Sequence, residues 1–216
     1  MSPGEARTGV VLVHGLWMNP LAMYPLQLRV RKLGFNVTRF GYRSMRSGLE
    51  DNAARLSRFI EAVEADVVHL VAHSLGGLVT MRALQLRPDT RAQRIVLLGS
   101  PVAGSSAGRR LAGFRAGRLL LGNSDHIWKT PPDATFPDRA AVGVIAGSMP
   151  IGLGRLVGRL PRPNDGVVTV AETQVRNATD EIVLPVTHTA LLFSAGVGRQ
   201  VCNFLRDARF AHVAST

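Results

Sequence analysis

The chain has 216 residues, 46% of them hydrophobic and 19% charged, a balance that suits one globular domain over residues 1–216 and excludes a disordered chain. Its net charge of +11 is nearly all arginine, with Lys32 and Lys129 the only lysines; the basic residues look scattered and no base-reading motif accompanies them, so no nucleic acid is expected as a partner. The single cysteine, Cys202, excludes an internal disulfide and a cysteine-based metal cluster; with neither a leader pattern nor an apolar run of about 18 residues, a soluble cytoplasmic protein is expected.

The first apolar run, residues 10–13, has the continuous hydrophobicity of a strand buried on both faces and ends in His14-Gly15-Leu16. A helical pattern over 21–33 follows, then a strand at 36–40 and a helix at 49–65. Residues 67–71 form the next strand, and 75–86 a helix. Ala72-His73-Ser74 must then turn the chain between them, which predicts that His73 and Ser74 stand at the rim of the sheet rather than inside it. Small residues at 72 and 76 let strand and helix approach closely there, and the helix N-terminus behind Ser74 offers free N–H groups.

After a strand at 94–98 comes a helical pattern at 107–121, a proline-rich loop, and a strand at 142–146. Leu153, Leu156, Val157 and Leu160 fall on one side of a short glycine-broken segment, with Arg155 and Arg159 on the other. Two readings stand for it, ordinary core packing or a flap that touches lipid. Asn164-Asp165-Gly166 is a turn, 181–186 the last strand, and His188 precedes a final helix at 190–209. Strand and helix alternating in this way predict an α/β fold: a mostly parallel sheet of about six strands with helices on both faces.

Ala72-His73-Ser74-Leu75-Gly76-Gly77 resembles the G/A-x-S-x-G nucleophile elbow of the α/β-hydrolases, in the H-S-x-G-G form of small bacterial lipases. The resemblance extends from Val10 to about Arg209 and implies a minimal α/β-hydrolase. Only 43 residues separate Leu98 from Val142, too few for the cap domain the family often inserts. It further implies that Ser74 is the nucleophile, that the N–H groups of Leu16 and Leu75 form the oxyanion hole, and that the order Ser, Asp, His selects His188 as base. Asp165 stands in the family's usual place for the acid and matches its Asn-Asp-Gly pattern; Asp125 and Asp180 remain alternatives. Larger lipases of this group carry a calcium carboxylate where this chain has Ala190, so no metal is expected, and the chemistry asks for no cofactor.

The expected function is hydrolysis of carboxylic, lipid-type esters through an acyl-enzyme. The same three residues would serve a thioesterase or acyltransferase, and a non-catalytic lipid- or protein-binding module would be marked by a broken triad. The expected partner is a small-molecule or lipid ester, with peripheral contact at a lipid interface.

Overall fold

A computed structural model describes residues 6–89, 91–123, 134–152 and 160–212. Six strands form one wholly parallel sheet: β1 (Thr8–Val13), β2 (Asn36–Phe40), β3 (Val67–His73), β4 (Ala92–Leu98), β5 (Ala141–Gly147) and β6 (Asp180–Leu184), in the order β2-β1-β3-β4-β5-β6. Parallel neighbours require crossovers, and helices supply them. The α-helices are α1 (Tyr24–Arg31), α2 (Leu49–Glu61), α3 (Leu75–Leu86), α4 (Ser106–Ala112), α5 (Arg115–Leu121), α6 (Ala190–Phe193) and α7 (Ala195–Asp207).

The side-chain alternation of the strands divides the core in two. Val11, Val13, Leu70, Ala72, Ile95 and Leu97 face α2 and α3, whose Leu56, Ile60, Leu78 and Met81 are buried against them. Val10, Leu12, Val71, Val96 and Leu98 face α1, α6 and α7, meeting Leu26, Val30, Leu191, Val201 and Phe204. Both sides of the sheet are therefore covered, as the unbroken apolar strands predict.

Three predicted helices are interrupted, each for a local reason. The first opens as a 3-10 turn, Pro20–Met23, capped by the Asn19 side chain, before α1 begins at Tyr24 with Pro25 in its first turn. The pattern at 107–121 breaks because Phe114 is extended, so α5 folds back over the end of α4. Gly117 permits that approach: a Cβ there would lie 2.0 Å from the Leu111 carbonyl oxygen. The last helix breaks at Ser194, which leaves helical geometry and accepts a hydrogen bond from the Val197 N–H as an N-cap. A 3-10 helix at Val170–Thr173 is capped reciprocally by Thr169 and Glu172, a T-x-x-E box present in the sequence.

His69 lies inside β3, buried and edge-on to the Phe35 ring. Burial first, and then the charge of Arg94, hold its imidazole at a pKa of about 4. Between pH 6.5 and 4 the unfolded chain therefore takes up a proton that the folded chain refuses, and stability falls as pH falls. His69 alone is expected to contribute roughly 3 kcal/mol of that loss. Urea melts of wild type and His69→Leu at pH 7 and pH 4 test this; the variant should lose distinctly less stability on acidification, and equal losses would contradict the assignment.

Candidate active site

The winding of the sheet reverses between β1 and β3: the chain adds β2 on one side of β1 and everything after it on the other. In such sheets the crevice for a ligand opens beyond the carboxyl ends of the two strands at the reversal. His14-Gly15-Leu16 follows β1 and Ser74 follows β3, so the two motifs meet there.

The turn at Ser74 is tighter than predicted. β3 continues through His73, and Ser74 alone makes the reversal with φ 53° and ψ −124°, a conformation in which an L-residue is strained. The expectation that His73 and Ser74 both stand at the rim is corrected accordingly. As the last strand residue His73 points into the interior and is fully buried, while Ser74 is partly exposed. Two glycines make this sharp junction sterically possible. A Cβ on Gly76 would meet the His14 carbonyl oxygen at 2.5 Å, and one on Gly77 would meet Ser100 Oγ at 2.3 Å.

The loop after β5 carries Asp165, and the segment after β6 carries His188. The His188 ring meets the carboxylate across 2.7 Å, Nδ1 to Oδ2, and its backbone N–H donates to the Asp165 carbonyl at 2.9 Å. The other carboxylate oxygen, Oδ1, accepts from the N–H groups of Val167 (2.9 Å) and Val168 (2.7 Å). Asp165 is almost wholly buried, so this charge is desolvated but provided with donors on both oxygens. Because the carboxylate accepts, His188 Nδ1 carries the proton and Nε2 is left with a lone pair.

His73 ties this pair to the elbow. Its Nε2–H donates to the His188 carbonyl at 3.2 Å, and the two rings lie 4.7 Å apart. Burial, and then the neighbouring His188, push its pKa well below the usual imidazole value, so His73 is neutral. On the other side Gly15 packs against Ser74, where a Cβ would lie 3.1 Å from the Ser74 Cβ. Leu16 begins the turn beyond it, and Leu75 is the first residue of α3, where an N–H has no carbonyl within its own helix to bond. His14 is buried, stacked on Tyr42 at 4.4 Å, and its carbonyl accepts from the Tyr42 hydroxyl at 2.8 Å, so it braces the turn.

Ser74, Asp165, His188, Leu16 and Leu75 thus converge on one end of the sheet. Asp180 does not: it begins β6 at the far end, where its carboxylate holds the Phe210 N–H and the His212 ring. Asp125, His126 and residues 153–159, which include most of the amphipathic segment, lie outside the described residues. Among the described residues no cluster of His, Cys, Asp and Glu could hold a metal ion, and no helix is long and apolar enough to cross a membrane.

Gly99 is a site residue that motif reading misses. It follows β4 with φ +54°, and a Cβ on it would lie 3.0 Å from Asp165 Oδ2 and 3.2 Å from His188 Nδ1. The Asp–His hydrogen bond is therefore packed directly over a backbone that has no room for a side chain. Gly147 plays the same part beneath Asp165, whose Cβ would be 2.7 Å from one placed there. The only sequence signal for either is a glycine closing a strand on the site side.

The chain arranges a hydroxyl on a strained turn, an imidazole with one oriented nitrogen, and a buried carboxylate behind it. Such a set can remove a proton from a hydroxyl and return it to a leaving group. Residues 10–207 match the family model described as the alpha/beta hydrolase family. Among solved structures, a lipase of Bacillus licheniformis in its propeptide form is similar over 100% of this chain and 52% of that one, with 20% identity and a TM-score of 0.76. A metagenomic carboxyl esterase is similar over 87% of this chain and 66% of its own, at 18% identity and a TM-score of 0.68. A carboxylesterase of Bacillus subtilis is similar over 94% and 85%, at 15% identity and a TM-score of 0.55. At these identities the likeness is one of fold, and the chain spans about half the length of the Bacillus licheniformis lipase. No curated protein matches the chain.

Proposed function

Because this chain belongs to the alpha/beta hydrolase family, we propose that it is a serine hydrolase of carboxylic esters with acyl chains of lipid type. The observation that carries this reading is the 2.7 Å contact between the His188 ring and the buried Asp165 carboxylate, held beside the Ser74 elbow through His73. A histidine merely capping a helix would need neither the buried carboxylate nor a glycine cut away beneath the pair.

In the proposed mechanism Ser74 Oγ attacks the ester carbonyl carbon while His188 Nε2 takes the hydroxyl proton. Asp165 keeps the imidazole in the tautomer that can accept it and stabilises the resulting cation. The negative charge that develops on the carbonyl oxygen is met by the N–H groups of Leu16 and Leu75, each such donor typically contributing about 3 kcal/mol to lowering the barrier. Collapse breaks the bond to the alcohol oxygen, which receives the proton from His188, and leaves the acyl group on Ser74. Water then attacks that acyl-enzyme with His188 again as base, releasing the acid and restoring Ser74.

The test is a pair of measurements on the purified chain. A fluorophosphonate should label it stoichiometrically, with the adduct mapped to Ser74 by mass spectrometry. Nitrophenyl esters of two to sixteen carbons should be hydrolysed faster than the matching thioesters. Labelling elsewhere would remove Ser74 from the reaction, and faster thioester turnover would make the chain a thioesterase.

A further inference from the structure

The basic residues, scattered when scanned for runs, are unevenly placed once acidic residues are considered with them. Between Glu5 and Glu50 there is no acidic residue, while Arg7, Arg29, Arg31, Lys32, Arg39, Arg43 and Arg46 fall in that interval, seven of the eleven net positive charges. It holds β1, the 3-10 turn, α1 and β2, and β2 is an edge strand, so α1 packs along one margin of the molecule. Arg7 pairs with Asp66 at the far end of the sheet. Arg29, Arg31, Lys32 and Arg39 have no carboxylate partner among the described residues. Arg29 and Arg31 reach backbone carbonyls instead, and Arg39 lies 5.5 Å over the Tyr24 ring.

The same margin exposes large apolar side chains. Leu21 is 68% exposed, Tyr24 48% and Leu28 43%, at spacings of three and four along the 3-10 turn and α1, while Met23, Leu26 and Val30 on the opposite side are buried. Arg31 and Lys32 follow at the end of the same outward side. Phe193, 51% exposed, flanks the helix where Arg29 bonds its carbonyl. From α7, Arg199 and Arg206 add cations on the adjoining surface, with Asp207 and the half-exposed Cys202 beside them. An apolar stripe bordered by cations, four of them without a carboxylate partner among the described residues, is the pattern of a surface lying in a lipid interface, where the apolar side chains enter the acyl boundary and the basic stems reach headgroup phosphates.

We propose that this outward side of the 3-10 turn and α1 docks onto the surface of an anionic lipid bilayer. A second copy of the chain is disfavoured there because like charges would face each other across a twofold contact. A nucleic acid would engage the cations but leave Leu21, Leu28 and Phe193 without a partner. The placement also suits the catalytic reading: the stripe begins just after Leu16-Trp17, so a docked molecule has its crevice beside the bilayer. The docking itself does not depend on that reading.

Flotation with vesicles tests it. The wild-type chain and its Ser74→Ala variant should both bind vesicles of phosphatidylglycerol and phosphatidylcholine, bind phosphatidylcholine alone weakly, and lose affinity as salt rises. Each basic residue near an anionic surface contributes about fivefold, so Arg31→Gln with Lys32→Gln should weaken partitioning roughly 25-fold. Leu21→Ser with Leu28→Ser should weaken it on both vesicle types. Turnover of a soluble short-chain ester should be unchanged in either double variant, which separates loss of docking from loss of catalysis. Wild-type affinity retained by both double variants would overturn the proposal. So would failure of the wild type to float, or binding to duplex DNA but not to vesicles.

Discussion

Replacing Ser74 by alanine is expected to abolish fluorophosphonate labelling and ester hydrolysis while the chain still folds. In the proposed mechanism the hydroxyl is the attacking group, so its removal takes the covalent step with it, and activity should fall by about 10⁶-fold, to the level left by oxyanion binding alone. The backbone makes a second, opposite expectation. Ser74 is held at φ 53° and ψ −124°, and strain of this kind costs on the order of 1–3 kcal/mol. Ser74→Gly should therefore be equally inactive yet more stable than wild type, because glycine adopts this conformation without penalty. Thermal melts of the two variants beside wild type check this; a glycine variant that melts below the alanine variant would show that the turn is not under strain.

Asp165→Asn should keep the fold and lower kcat by about 10⁴-fold, the loss produced by the equivalent exchange in a serine protease. Asparagine can still accept from the Val167 and Val168 N–H groups through its amide oxygen. Its NH2 group then faces His188 Nδ1, which must turn acceptor, so Nε2 carries the proton and can no longer take one from Ser74. KM should change little, since the carboxylate is buried behind the imidazole and remote from substrate. Single-turnover kinetics that show a loss below tenfold would move the acid elsewhere, and Asp125→Asn would then be the variant to measure.

Much of this architecture was legible in the sequence because two physical signals are local. The four inner strands are buried on both faces and nearly apolar throughout, and the edge strands β2 and β6 keep enough β-branched and apolar residues, so all six could be located within a few residues; the serine between residues 71 and 75 then had to occupy a strand-to-helix turn. Choosing the acid was harder, because Asp125, Asp165 and Asp180 all lie between Ser74 and His188, and an Asp-Gly turn such as that at Asp165 is common in any chain. The register of β6 against β5 puts Asp180 opposite Gly143, at the end of the sheet away from Ser74. His73 is buried because β3 runs two residues beyond the strand predicted at 67–71, which carries its ring into the interior instead of leaving it at the rim. Gly99 carried no signal beyond that of a glycine closing a strand, since its importance comes from Asp165 and His188 arriving over it from distant segments. The charge asymmetry is an absence of acidic residues between Glu5 and Glu50, which runs of basic residues do not reveal.

The sheet order also sets a timetable for synthesis. The serine turn is bracketed by β1, β3 and β4, all present in the first hundred residues, whereas 115 positions separate His73 from His188. At a ribosomal pace of about 5–20 residues per second, a growing chain carries the nucleophile of the proposed mechanism for on the order of ten seconds before the proposed base emerges. Through that interval Ser74 has no partner to remove its proton and remains an ordinary alcohol. Helix α7, whose Val201 and Phe204 close the core over β1 and β4, follows His188 in the chain, so in the proposed mechanism hydrolysis waits on both. On the proposed function, a chain that stops short of His188 would leave the esters around it untouched.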